Sequence, residues 1–227
     1  MSHSRRRLLD RVEAVLFDLD GTLLDTAPDL VGALEQVCTE ENSSPPDFEL
    51  ACRYVSTGAA GLIRLAFPSA PTDDAERLRQ RLVDLYATRL CQLTVPYAGI
   101  PQLLARLEST NIHWGVVTNK PAALTDPLME QIGLSERSAC IVSGDTLAER
   151  KPHPAPILHA LDSLNIDPAR AAYLGDAPQD IAAGQAAGVA TLAVTWGYII
   201  PGQNPRSWGA DYTIDHPDEL LELTLAT

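Results

Sequence analysis

The chain has 227 residues, of which 45% are hydrophobic and 21% charged, and a formal net charge of -13. That composition supports a sizeable packed core and excludes a disordered or fibrous chain, and the length suits one large domain or one domain carrying a smaller inserted unit. The acidic balance excludes a broad basic face for nucleic acid, and no apolar run approaches the ~20 residues that span a bilayer.

The N-terminal run Arg5-Arg6-Arg7 is followed by Asp10, Arg11 and Glu13, which interrupt any apolar segment. This is not a signal-peptide pattern, and a frayed tail on a cytoplasmic protein is expected. Cys38, Cys52, Cys91 and Cys140 show no metal-ligand spacing and read as reduced thiols.

The first predicted strand is Ala14 to Asp18, an apolar run that delivers Asp18 and then Asp20 before breaking at Gly21. Alternation puts residues i and i+2 of a strand on the same side, so both carboxylates face one site. Two anions that close need a cation or a shared proton. The economical reading is a divalent metal, with one carboxylate free as a nucleophile.

From about Thr26 to Val95 the sequence shows no convincing strand. Pro28 to Glu41 has helical periodicity, Ser43-Ser44-Pro45-Pro46-Asp47 breaks it, and Phe48 to Phe67 and Asp73 to Leu93 read as two further helices. Leu78, Leu82, Leu85 and Tyr86 form the buried stripe of the last one. The segment is expected to be a helical insertion in a core made of residues 1–25 and 97–227, with hinges near Asp25 to Pro28 and Val95 to Gly99.

Downstream, strands at His113 to Thr118, Ala139 to Ser143, Ala171 to Gly175, Ala190 to Thr195 and Asp211 to Ile214 alternate with helices at Ala122 to Ile132, Ala155 to Leu164 and Gln179 to Ala187. A last helix is expected at Pro217 to Leu225. This pattern predicts an α/β fold: a three-layer, Rossmann-like parallel sheet covered by helices on both faces.

Parallel sheets hold ligands at the carboxyl ends of their strands. There the sequence places Asp18 and Asp20, Thr118 and Asn119, Lys151 in a loop, and Asp176 with Asp180 one helical turn on. An oxygen-rich magnesium site beside donors for phosphate oxygens is what metal-assisted phosphoryl transfer requires. The plainer alternatives remain: Thr118 and Asn119 as a helix cap, Lys151 as a loop lysine, and Asp176 and Asp180 as anchors of a helix start.

Asp18-Leu19-Asp20-Gly21-Thr22, Thr118-Asn119, Lys151-Pro152 and Gly175-Asp176-Ala177-Pro178-Gln179-Asp180 resemble, in order and spacing, the four motifs of the haloacid dehalogenase superfamily. The helical insertion resembles the cap of its phosphoglycolate phosphatase-like branch. The resemblance implies Asp18 as the nucleophile and Asp20 as general acid and base, with Thr118, Asn119 and Lys151 holding the phosphoryl group. Mg2+ would sit on Asp18, the Asp20 carbonyl and Asp176, with Asp180 in support. Dehalogenases lack an acid at the position of Asp20 and ion pumps carry a threonine, so Asp20 favours a phosphatase or a phosphomutase.

Trp114 to Pro121 and the run Val194-Thr195-Trp196-Gly197-Tyr198-Ile199, with Asn204-Pro205, Trp208 to Asp211 and Asp215-His216-Pro217, resemble a subgroup acting on N-acetylmuramic acid 6-phosphate in cell-wall recycling. Phosphoglycolate phosphatases are its near neighbours. Both substrates carry a carboxylate, for which Arg53 or Arg64, flanking Ser56-Thr57-Gly58 in the insertion, is the expected partner. Ser56-Thr57 depart from the glycine-rich loop expected of phosphoglycolate enzymes. A phosphomutase and a non-catalytic binding module are the competing functions. Apart from the small phosphate ester no partner is expected, neither nucleic acid nor membrane, and the chain is read as a monomer or homodimer.

Overall fold

In the computed structural model residues 8–223 are described, which leaves the arginine run at the N-terminus and the end of the expected last helix outside it. The first strand, β1 (Ala14–Phe17), is fully buried along its length. Val15 and Phe17 join one hydrophobic cluster while Ala14 and Leu16 join another. The alternation of one short strand thus feeds the two faces of the sheet.

The chain then forms β2 (Leu24–Asp25), α1 (Ala27–Glu40), α2 (Phe48–Arg53), α3 (Gly58–Ala66), α4 (Thr72–Ala87) and β3 (Val95–Pro96). It continues through α5 (Ile100–Ser109), β4 (His113–Val117), α6 (Ala122–Gln131), β5 (Ile141–Val142) and α7 (Ala155–Leu164). The last elements are β6 (Ala171–Gly175), α8 (Pro178–Ala187), β7 (Ala190–Val194) and β8 (Tyr212–Ile214). Six strands form one parallel sheet in the order β5-β4-β1-β6-β7-β8. The chain moves outward from β1 to β5, then crosses back to β6 and moves out the other way. This reversal at β1 is where open α/β sheets hold their ligands.

The helical insertion α1–α4 leaves and rejoins the core through two paired linkers. β2 and β3 are antiparallel, with Leu24 opposite Pro96 and Asp25 opposite Val95. Asp29, buried in the first turn of α1, accepts hydrogen bonds from Leu93 N at 3.0 Å, Thr94 N at 2.9 Å and Thr94 Oγ1 at 2.8 Å. Within the insertion α4 packs on α1 and α3 through Leu78, Leu82, Leu85 and Tyr86, the stripe expected from the sequence.

Four sequence expectations are corrected. Phe48 to Phe67 is not one helix, because a 3-10 turn at Val55–Thr57 separates α2 from α3 and Gly58 takes φ +70°. α4 ends at Ala87, short of Leu93. α5 was not expected, although Ile100, Leu103, Leu104 and Leu107 follow the i, i+3, i+4, i+7 pattern of a buried helical stripe. The expected last helix is a 3-10 segment, Pro217–Leu221, within the described residues. All four cysteines are free thiols, and among the described residues no helix is long and apolar enough to cross a membrane.

Candidate active site

The strand ends bring the expected residues together. Asp18 follows β1, Thr118 follows β4 and Asp176 follows β6, and all three are buried. The backbone turns sharply after Asp20 at Gly21, with φ +83°, and a Cβ there would lie 2.1 Å from Asp176 Oδ2. Only glycine lets the turn approach the aspartate that closely.

Lys151 is the hub. Its Nζ lies 2.9 Å from Asp18 Oδ1 and 2.7 Å from Asp180 Oδ1, and donates to Tyr173 Oη at 2.7 Å. Tyr173 donates onward to the Val117 carbonyl at 2.7 Å. The loop carrying Lys151 is held by Asn119, whose amide accepts from Lys151 N and donates to Lys151 O, each at 3.0 Å. Lys151 is thus no loose loop lysine, and Asn119 acts on its backbone. Thr118 lines the same cavity, and its Oγ1 accepts from Lys120 N at 3.2 Å.

The electrostatics follow from burial. Loss of water pushes the Asp18 carboxyl up to about 7; Lys151 pulls it back, while Asp180 and Asp20 add to the push. Burial, then Asp18 and Asp180, raise Asp176 well above its ordinary value. Burial opposes the charge on Lys151, yet Asp18 and Asp180 outweigh it and hold its pKa above the ordinary lysine value.

One cation does not satisfy this many buried carboxylates. Oxygens of Asp18, Asp176 and Asp180 lie within 4.8 Å of one another. Asp176 Oδ2 accepts from Tyr198 N at 2.7 Å and Ser56 Oγ at 2.9 Å, whereas its buried Oδ1 has no hydrogen-bond partner among the described residues. Hard oxygen donors, excess negative charge and an orphaned carboxylate oxygen fit a divalent cation of the magnesium type. Asp180 is turned partly away, its Oδ2 accepting from Ala177 N at 3.0 Å and its Oδ1 facing Lys151.

A cavity of about 570 Å3 opens between these residues and the helical insertion. Asp18, Asp20, Thr118, Asn119 and Lys151 line it from the core, and Ser56, Thr57, Arg79 and Tyr86 from the insertion. Arg53 lines a different cavity of about 410 Å3, with Asp25, Tyr97 and Tyr198. Arg64 is exposed and lines neither of these cavities. The arginines on the large cavity are Arg79 and Arg150. Sequence reasoning did not single them out, since Arg79 sits among the exposed charges of α4 and Arg150 stands beside the more conspicuous Lys151.

Ser56, Lys120 with its partner Tyr86, and Tyr198 also reach the site without having been expected there. Ser56 touches Asp176 from the insertion. Lys120 donates to Asp20 Oδ1 at 2.8 Å and to Tyr86 Oη at 2.9 Å. Tyr198, read as part of an aromatic loop, accepts from Thr26 N and Ala27 N at 2.7 and 2.8 Å and donates to Asp25 Oδ1 at 2.9 Å. It therefore fastens the linker into the insertion to the backbone beside Asp176.

Comparison with known proteins identifies the family. Residues 15–194 match the sequence model of the haloacid dehalogenase-like hydrolases. The chain is 44% identical over 214 residues to an N-acetylmuramic acid 6-phosphate phosphatase of Pseudomonas aeruginosa, covering 94% of this chain and 95% of that one. It is 37% identical over 209 residues to a phosphoglycolate phosphatase of Xanthomonas campestris pv. campestris, covering 92% and 95%. The crystal structure of a predicted phosphoglycolate phosphatase from Haemophilus somnus superposes with a TM-score of 0.84 at 24% identity, covering 93% of this chain and 97% of that one, a likeness of fold. With acid groups at the ends of β1 and β6, a lysine between them and a sequence match through most of the sheet, the chain belongs to the haloacid dehalogenase-like hydrolase family.

Proposed function

We propose that the protein is a magnesium-dependent phosphatase that cleaves the phosphate monoester of N-acetylmuramic acid 6-phosphate through an aspartyl-phosphate on Asp18. The observation that carries the chemistry is Asp18 on the floor of the large cavity, with Lys151 Nζ 2.9 Å from its Oδ1. Leu19 N donates to the same oxygen at 2.7 Å, which leaves Oδ2 for attack on phosphorus. Thr118 and Lys151 hold the phosphoryl oxygens as charge shifts in the transition state.

Asp20, whose side chain is 18% exposed and lines the cavity, protonates the departing ester oxygen. It then takes a proton from the water that hydrolyses the aspartyl-phosphate. Mg2+ held by Asp18, the Asp20 carbonyl and Asp176, with Asp180 in support, would favour the ionised nucleophile and offset phosphate charge. Residues 26–96 act as a cap that admits substrate and excludes bulk water.

The substrate is supported by the 44% identical relative and by cavity size. About 570 Å3 suits a substituted sugar phosphate and exceeds what a two-carbon acid fills. Arg79 and Arg150, which line that cavity where the expected Arg53 and Arg64 do not, are the candidates for its carboxylate. Such a recycling step belongs in the cytoplasm. The deciding experiment is magnesium-dependent phosphate release from N-acetylmuramic acid 6-phosphate, phosphoglycolate and a panel of sugar phosphates. The expected result is a kcat/KM for the muramic ester at least ~100-fold above the others, about 2.7 kcal/mol of transition-state preference. A preference for phosphoglycolate overturns the substrate. Isomerised sugar phosphate without free phosphate overturns hydrolysis in favour of a mutase, and no turnover of any ester overturns the enzyme.

A further inference from the structure

Asp20 carries the most demanding duty in the proposed reaction, since it must give a proton at one moment and take one at the next. Its Oδ1 accepts two hydrogen bonds, from Thr26 Oγ1 at 2.6 Å and from Lys120 Nζ at 2.8 Å. The Lys120 side chain is 5% exposed. A buried ammonium is costly unless its donors are met, and here a second partner comes from the insertion. Lys120 Nζ donates to Tyr86 Oη at 2.9 Å and lies 4.5 Å from the centre of the Tyr86 ring.

Three elements meet at this one ammonium: the turn after β1, the loop after β4 and helix α4 of the insertion. The phosphoryl cradle does not need it, because Lys151 already stands beside Asp18. What Lys120 does is pin one oxygen of Asp20 and leave the other for the ester oxygen. Acid–base catalysis requires that the donor stand within hydrogen-bond reach of its target, and a carboxylate free to rotate loses that geometry.

We propose that Lys120 is a positioning residue for Asp20, and that Tyr86 makes this positioning depend on α4 being seated against the core. The idea rests on the reading of Asp20 as acid and base. As the phosphorus–ester oxygen bond breaks, its electron pair stays on that oxygen and the Asp20 proton moves to it. The carboxylate left behind faces the Lys120 ammonium. In the second half the attacking water returns a proton to Asp20, and Lys120 keeps its own protons throughout. With α4 withdrawn, Lys120 loses Tyr86, and the acid is no longer aimed. Leaving-group protonation is thereby confined to the seated state of the insertion.

The test compares two esters in the full-length, magnesium-loaded protein: an alkyl phosphate, whose leaving oxygen needs a proton, and p-nitrophenyl phosphate, whose leaving group departs as the anion. The parameter is kcat/KM, which ends at leaving-group departure. Lys120→Met should lower it about 100-fold for the alkyl ester, the scale of general acid catalysis, and less than about five-fold for the aryl ester. Tyr86→Phe keeps the ring and removes only the hydroxyl. It should act in the same sense at about ten-fold against none, and decides alone if Lys120→Met fails to fold by circular dichroism. Equal losses on both esters, or no loss on either, overturn the proposal while leaving the phosphatase intact. A wild-type protein that hydrolyses neither ester overturns the phosphatase reading itself.

Discussion

The floor of the cavity and the outer face of the insertion contain ion pairs of nearly the same length. Lys151 lies 2.9 Å from Asp18 with side chains 1% and 11% exposed, whereas Arg81 on α4 lies 2.7 Å from Glu40 on α1 with side chains 45% and 36% exposed. Distance therefore says little about consequence. On the outer face, water and salt screen the charges and the partners pay side-chain entropy to meet, so such pairs contribute about 0–1 kcal/mol. On the floor, carboxylates outnumber the ammonium and desolvation moves their proton affinities. That half-satisfied charge is what a metal and a phosphate can use.

The largest expected effect comes from removing the buried nucleophile. Asp18→Asn keeps shape and one acceptor but cannot form the acyl phosphate, and kcat should fall by at least about 10⁴-fold in steady-state phosphate release, on the scale of losses from removed nucleophiles. Activity near wild type, in protein free of host phosphatases, would remove Asp18 from the role.

An intermediate effect is expected from magnesium. In the metal-free protein Asp18 is held near 7 against an ordinary 3.8. Between those values the folded state binds more protons than the unfolded one, so stability falls as pH rises through that window and levels off above it. A divalent cation prefers the carboxylate form, so its stabilisation should grow over the same window. Thermal melts with chelator and with saturating magnesium should differ by about 5–10 °C near about pH 8, from roughly 2.7 kcal/mol at a hundredfold excess over Kd. The gap should shrink near about pH 5.5, and Asp176→Asn should abolish it. No gap at any pH would contradict the assignment of the floor as a metal site, and a gap that does not change with pH would contradict the raised proton affinity of Asp18.

The smallest effect belongs to the outer face. Arg81→Ala should leave the urea midpoint and kcat/KM unchanged within error. A large fall in the midpoint would mean that the outer pairs are not ordinary surface pairs and that the contrast between the two regions is false.

The same contrast explains what the sequence reveals. The residues of the floor are legible because each follows a short apolar strand of one parallel sheet, and strand order in such a fold brings their ends together. Asp18, Thr118 and Asp176 are read from their own neighbourhoods. The contributions of the insertion are not. Tyr86 belongs to a stripe that reads as core, and it is core at its ring, but its hydroxyl reaches Lys120 across 34 positions of sequence. Ser56 reaches Asp176 only because the chain breaks from helix at Val55–Thr57. Arg53 and Arg64 flank Ser56-Thr57-Gly58, the segment that the family resemblance points to, while the packing of α4 and of the loop before Lys151 brings Arg79 and Arg150 to the cavity. Helix α5 carries a legible buried stripe of its own, Ile100, Leu103, Leu104 and Leu107, but no residue of the floor.

The paired linkers carry a consequence for modularity. Asp25 and Val95 stand opposite each other in a two-stranded ladder, so the insertion leaves and returns at points about 5 Å apart, the spacing of adjacent strands. To the rest of the chain, everything between them is a hairpin turn grown long. A two-residue Asn-Gly turn has the reach to join the same ends, and a helical unit of another shape fits the same socket if its first residues donate to Tyr198 Oη as Thr26 N and Ala27 N do. A replacement unit would also have to return a partner for Lys120 in place of Tyr86 and one for Asp176 in place of Ser56.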